Sequence, residues 1–89
     1  MKIGKYRLEG GGMCPEQYRV FDGEKEVGYL RLRHGDFRAD WTEGKTVTVY
    51  RACPNGDGGF DGDEREKYLA EAVNAIDAAR CPNETAEPV

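Results

Sequence analysis

Long apolar runs are missing from this chain of 89 residues. That excludes a helical membrane span, which needs about 20 consecutive apolar residues. The opening MKIGKYRLEG has no stretch that would serve as a signal-peptide core, so the cytoplasm is the expected compartment. Net positive charge is also lacking. A net charge of −4 and a pI of about 5.0 weigh against binding double-stranded DNA, whose affinity rests on neutralising phosphates. There is a single histidine, His34, and the three cysteines, Cys14, Cys53 and Cys81, lie far apart. Zinc clusters bring their ligands in close pairs, so neither a metal site nor thiolate-bound haem is expected, nor any other cofactor. An odd cysteine count cannot pair fully within one chain, which suits a reducing compartment. Each cysteine precedes a proline although the chain has only four prolines. Such pairs punctuate the ends of elements, because proline disfavours a helical conformation just before it.

Recognised loop signatures are absent as well. The stretch NGDGGFDGDE resembles a calcium loop, but Phe60 stands where glycine is required and Gly59 where a ligand is required. Neither glycine fingerprint for phosphate is spelled, and Asp57, Asp61 and Asp63 would repel a phosphate there. No aromatic signature of RNA binding is present.

What the chain does contain is a clean change of period. Lys5–Glu9, Gln17–Phe21, Val27–Arg33, Asp36–Trp41 and Thr46–Tyr50 alternate apolar and polar residues, as half-buried strands do. Short turns at Asp22-Gly23, His34-Gly35 and Glu43-Gly44 link most of them, and GGGMCPE (residues 10 to 16) reads as a loop. From Leu69 the apolar residues Ala72, Val73, Ile76 and Ala79 recur at three- and four-residue steps, one stripe of a helix over residues 63–80. Asp61 with Glu64, or Asp63 with Glu66, offers a capping box for its start. The expected fold is α+β: an antiparallel sheet of four to five strands packed on one C-terminal helix. Residues 1–80 are expected to form one domain and residues 81–89 a disordered acidic tail. The helix stripe needs one face of the sheet, nominated as Tyr6, Leu8, Tyr18, Val20, Leu30, Leu32, Phe37, Ala39, Trp41, Val47 and Val49.

Strand geometry then sends Arg7, Arg19, Tyr29, Arg31, Arg33 and Arg38 to the other face. Charge is segregated to match. Residues 1–52 hold ten Lys/Arg against eight Asp/Glu, and residues 53–89 hold three against nine. Arginine forks bind carboxylates and phosphates in bidentate fashion, and Tyr29 and Phe21 are available for stacking. The face therefore suits an acidic protein surface, or a nucleotide-like anionic small molecule, for which a dimer or higher oligomer is expected to enclose the pocket. The plainer reading is a solvated face kept soluble by cross-strand ion pairs with Glu9, Asp36 and Asp40. A small hydrolase using His34 and a nearby carboxylate is a third option, although no catalytic set is spelled by spacing.

GYLRLRHGDFRAD, the glycine-rich loop and the DEREKYLAEAV helix together resemble small uncharacterised accessory proteins of phages and mobile elements, built as a strand meander followed by a helix. That resemblance implies an anti-defence context in which such proteins block a host factor or sequester a signalling molecule. It implies binding rather than catalysis and carries over no functional residues.

Overall fold

The computed structural model describes residues 1–13, 15–55 and 59–80. Six strands run in chain order through one antiparallel sheet: β1 (Lys2–Ile3), β2 (Tyr6–Gly11), β3 (Glu16–Asp22), β4 (Lys25–Arg33), β5 (Asp36–Trp41) and β6 (Val47–Ala52). One helix, α1 (Glu64–Arg80), follows. The α+β arrangement expected from the sequence is present, with six strands rather than four or five. The additional strand is β1, which folds back on Arg7 and Tyr6 through a turn at Gly4 (φ 60°). Two residues are too few to display a period, so the alternation could not reveal it. The expected loop at residues 10–16 is also shorter than it reads. Gly10 and Gly11 continue β2 opposite Tyr18 and Gln17, and Glu16 already belongs to β3. The tail at 81–89, with Cys81, and Cys14 lie outside the described residues.

Tyr6, Leu8, Tyr18, Val20, Leu30, Leu32, Phe37 and Ala39 form the buried face of the sheet, with Val27 joining them. Leu69, Ala72, Val73 and Ile76 of α1 close the core from above. Trp41 and Val49 are only partly buried against this cluster, and Val47 is 41% exposed. The helix lies over β4, β5 and β6. It comes so close that a Cβ on Gly28 would sit 2.4 Å from Ile76 Cδ1 and 3.0 Å from the Asp40 carbonyl. The loop before the helix is held by Phe60, whose ring meets Phe37 edge-on at 5.0 Å and stacks on Tyr68 at 6.0 Å.

Both ends of the helix are bolted to the sheet by its own arginines. At the start, Glu64 accepts from the Asp61 amide (3.1 Å) and from the Asn55 amide (2.7 Å), half of the expected capping box plus a tie to the preceding loop. Arg65 reaches the carboxylate of Glu16, which is 1% exposed, with Nε at 2.7 Å and Nη2 at 3.1 Å. The same two oxygens accept from the Phe60 amide (3.0 Å) and from the Tyr18 hydroxyl. At the far end, Arg80 donates to Asp22 (2.8 Å), Glu43 (2.7 Å) and the Tyr6 hydroxyl (3.2 Å). Glu43 also accepts from Trp41 Nε1 (2.9 Å) and pairs with Lys25 (3.0 Å), while Tyr6 donates to Asp77 (2.6 Å). Two sheet turns and the helix end are thus tied at one point.

Burial alone would raise the pKa of Glu16, but the bonds from Arg65, Tyr18 and the Phe60 amide together hold it below the ordinary 4.5. The Trp41, Lys25 and Arg80 donors bring Glu43 down to about 2. A carboxylate whose folded pKa lies below its unfolded value stabilises fully above the unfolded value, and that contribution is lost as pH falls through the folded one. The melting temperature should therefore hold steady above about pH 5 and fall progressively toward about pH 2. Glu43→Gln should flatten part of that acid limb when melts are compared across the range. Glu16→Ala should cost near the low end of the ~3–5 kcal/mol typical of breaking a buried ion pair, because Arg65 is 43% exposed and can turn to water. Urea titration of the variant checks the magnitude.

Candidate functional site

Residues between the core positions point to the sheet face away from α1. Strand pairing sets Arg31 of β4 opposite Gln17 of β3 and opposite Arg38 of β5. Arg38 in turn stands opposite Arg51 of β6. Three arginines therefore lie in one row across three neighbouring strands. Arg33 stands two residues from Arg31 on the same side of β4, opposite Asp36.

Arg51 is the member that sequence alternation misplaces. In Thr46–Ala52 a strict period of two groups Arg51 with Val47 and Val49 on the covered face. The β5–β6 pairing slips between Ala39 and Asp40, which face Tyr50 and Thr48 and leave Val49 unpaired. A bulge of one residue turns every later side chain over. Tyr50 and Ala52 consequently pack on the core, Tyr50 donating to Glu71 of the helix, and Arg51 emerges beside Arg38. The sequence carries one signal for this: strict alternation would leave the bulky Tyr50 on the polar face.

The arginines of this face divide into two groups. Arg7 bonds to Glu9 (2.9 Å) and to the Gly23 carbonyl (2.8 Å), and Arg19 bonds to Glu26 (2.9 Å). Both guanidiniums cover the ring of Phe21, at 4.6 and 5.3 Å from its centroid, and so bury it without a place in the main core. Tyr29 stands between Arg19 and Asp40 in register, its hydroxyl donating to Gln17 at 2.5 Å. The second group is Arg31, Arg33 and Arg38, which with His34 and Asp36 line a shallow hollow of about 390 Å³ at the β4–β5 hairpin end. His34 and Gly35 both have positive φ (53° and 73°), the geometry of a tight two-residue hairpin turn. His34 is exposed there.

Two carboxylates stand near that hollow, Asp36 and Asp40, and neither pairs with Arg31 or Arg33. Asp36 accepts from Arg51 (2.9 Å) rather than from Arg33 across the strand pair. Asp40, 7% exposed, accepts from Thr48 Oγ1 (2.7 Å) and lies 3.3 Å from Arg38 Nε. The angle of that approach is poor, so the buried Nε–H of Arg38 has no hydrogen-bond acceptor. Among the described residues, Arg31 and Arg33 have no ion pair at all. The hydrogen bond to Asp36 raises the pKa of Arg51, and the bond to Glu26 raises that of Arg19, so both remain charged at any working pH. Like charges set directly opposite across strands destabilise a sheet. Arg31, the member of the row without a carboxylate among the described residues, therefore faces Arg38 under repulsion that an external anion would relieve.

His34 has no hydrogen bond within the described residues, so no carboxylate orients it as a base would need. Cys53 is exposed and free. The described residues contain no group of three metal-ligating side chains and no helix long and apolar enough to cross a membrane. Comparison of the chain with protein-family models, with curated proteins and with solved structures finds no match.

The stored repulsion has a measurable sign. Arg31→Gln should stabilise the protein by a few tenths to ~1 kcal/mol at low salt, by relieving the opposed pair with Arg38. The gain should shrink in about 1 M salt, where the screening length drops to ~3 Å. Thermal melts of both proteins at the two salt levels test this, and a destabilised variant would show that Arg31 is not under repulsion.

Proposed function

We infer that this protein is a non-catalytic binding module that takes up an acidic protein partner on its arginine-bearing sheet face. One observation carries the reading: Arg31 stands in register with Arg38 and beside Arg33, and among the described residues the nearby Asp36 and Asp40 pair with Arg51 and Arg38, leaving Arg31 and Arg33 without a carboxylate. Elsewhere on the face each arginine has a carboxylate, Arg7 with Glu9 of its own strand and Arg19 with Glu26 across the β3–β4 pair, whereas Arg31 and Arg33 have none among the described residues. The arginines are spread over β4, β5 and β6 rather than enclosed in a cavity, which suits a macromolecular surface. Blocking of a host or defence factor in the cytoplasm belongs to the same proposal, on the odd cysteine count and the resemblance to mobile-element accessory proteins. A phosphate-bearing small molecule is the second reading, favoured by the hollow at the hairpin end. Hydrolysis through His34 has no such support.

Pull-down from host lysate at low salt should retain an acidic protein that about 0.5 M salt releases, since exposed ion pairs are screened within a few ångströms. Arg31→Ala/Arg33→Ala should abolish that retention with no loss of melting temperature. Arg31→Lys/Arg33→Lys should restore it only in part, because an ammonium cannot make the forked contact. Equal capture by the wild-type protein and the double alanine variant would remove the sheet face as the binding surface.

A further inference from the structure

We propose that the hollow at the β4–β5 hairpin end is a seat for a phosphate monoester, the group by which the partner anchors on the arginine face. The proposal rests on the acidic-partner reading and sharpens it to one anion at one place.

Arg31 and Arg33 are successive same-face residues of one strand, with roots roughly 6–7 Å apart, and Arg38 is directly across from Arg31 at roughly 5 Å. All three line the same hollow, and no described acceptor bonds to Arg31 or Arg33. A carboxylate carries a single charge, which one guanidinium offsets while its fork occupies one lone pair on each oxygen. Arg38 already lies 3.3 Å from Asp40, so a single carboxylate would still leave one of Arg31 and Arg33 without a counter-charge. Three carboxylates crowded onto so small a footprint would repel one another as the arginines do now. A phosphate monoester brings about −1.5 to −2 charges and three terminal oxygens on a single atom. It can accept from all three forks at once.

The surrounding groups fit that anion. Asp36, the obvious cross-strand partner for Arg33, is held 2.9 Å from Arg51 instead, so Arg33 is kept available. Asp36 still lines the hollow and repels any anion that enters. His34 at the rim offers a ring N–H as a further donor. The hollow is open and polar, and its size of about 390 Å³ admits a phosphoryl group together with the portion of the molecule that bears it. Two sources present this chemistry: a phosphorylated protein side chain and a nucleotide.

Titrations of the full chain by calorimetry, with arginine side-chain NMR, test the seat. The probes are a phosphoserine peptide, the same peptide with glutamate in that position, a nucleoside monophosphate, and a hexaglutamate peptide. Expected results are binding of at least one phosphate ester roughly tenfold tighter than the glutamate peptide, with the Arg31, Arg33 and Arg38 resonances moving together. The tighter of the phosphopeptide and the nucleotide names the source. Arg38→Ala should weaken that ester by roughly tenfold or more, and Asp36→Asn should strengthen it several-fold. The gain in Asp36→Asn guards against a misfolding artefact, since a damaged protein does not bind more tightly. If glutamate and phosphoserine peptides bind alike, or Asp36→Asn has no effect, the phosphate seat is overturned while the acidic-partner reading stands. If hexaglutamate and both esters all fail to bind, both are overturned.

Discussion

A single buried carboxylate fixes how the helical half of this molecule meets the sheet. Glu16 opens β3 and accepts from the backbone of the incoming loop at Phe60, from the first turn of the helix at Arg65 and from its own strand at Tyr18. Burying an ionised carboxylate costs several kcal/mol unless all of its acceptor capacity is used. Here both oxygens take two donors each, so the charge is tolerable only when loop, helix and strand are simultaneously in place. Phe60 is thereby set against Phe37, and the apolar stripe of α1 is set over β4, β5 and β6. Once that face is covered, the remaining face, apart from Phe21 beneath Arg7 and Arg19, is free to carry charge.

Arginine is used in opposite senses on the two sides. Arg65 and Arg80 of the helix point into carboxylates of the sheet and act as braces. Arg31, Arg38 and Arg51 of the sheet point away, opposite one another, where repulsion works against the fold. Braced arginines contribute to stability because their partners are preorganised and partly shielded from water. Within that row Arg51 pairs with Asp36 and Arg38 lies beside Asp40, so Arg31 is the member with no carboxylate partner among the described residues. Between the two groups, Arg7 and Arg19 shield Phe21 from solvent and mark the part of the face that is structural.

Much of this was legible in the residues themselves. Alternation located five of the strands and nominated most of the buried face, since a half-buried strand must show a period of two. The stripe from Leu69 to Ile76 located the helix. Arg31, Arg33 and Arg38 fell on the open face by the same rule, and they do line one hollow. The misses have particular causes. β1 is too short to have a period, Gly10 and Gly11 look like loop because they carry no side chain to alternate, and the β6 bulge reverses Tyr50 and Arg51. Arg80 is, by its place in the sequence, only a cation in the last turn of a helix, because nothing local announces that Asp22, Glu43 and Tyr6 will converge there.

The sequence by itself determined the class of fold, the order of its elements and the segregation of arginine from acid, because each depends on periods and charges counted along the chain. Only the tertiary structure decided which arginines stand together. Strand register sets Arg31, Arg38 and Arg51 in one row, a single unpaired residue at Val49 admits Arg51 to it, and Asp36 is drawn to Arg51 and away from Arg33. Register and bulges depend on how distant segments share one core, and side-chain pairing follows from register, so neither is written in any local stretch of residues.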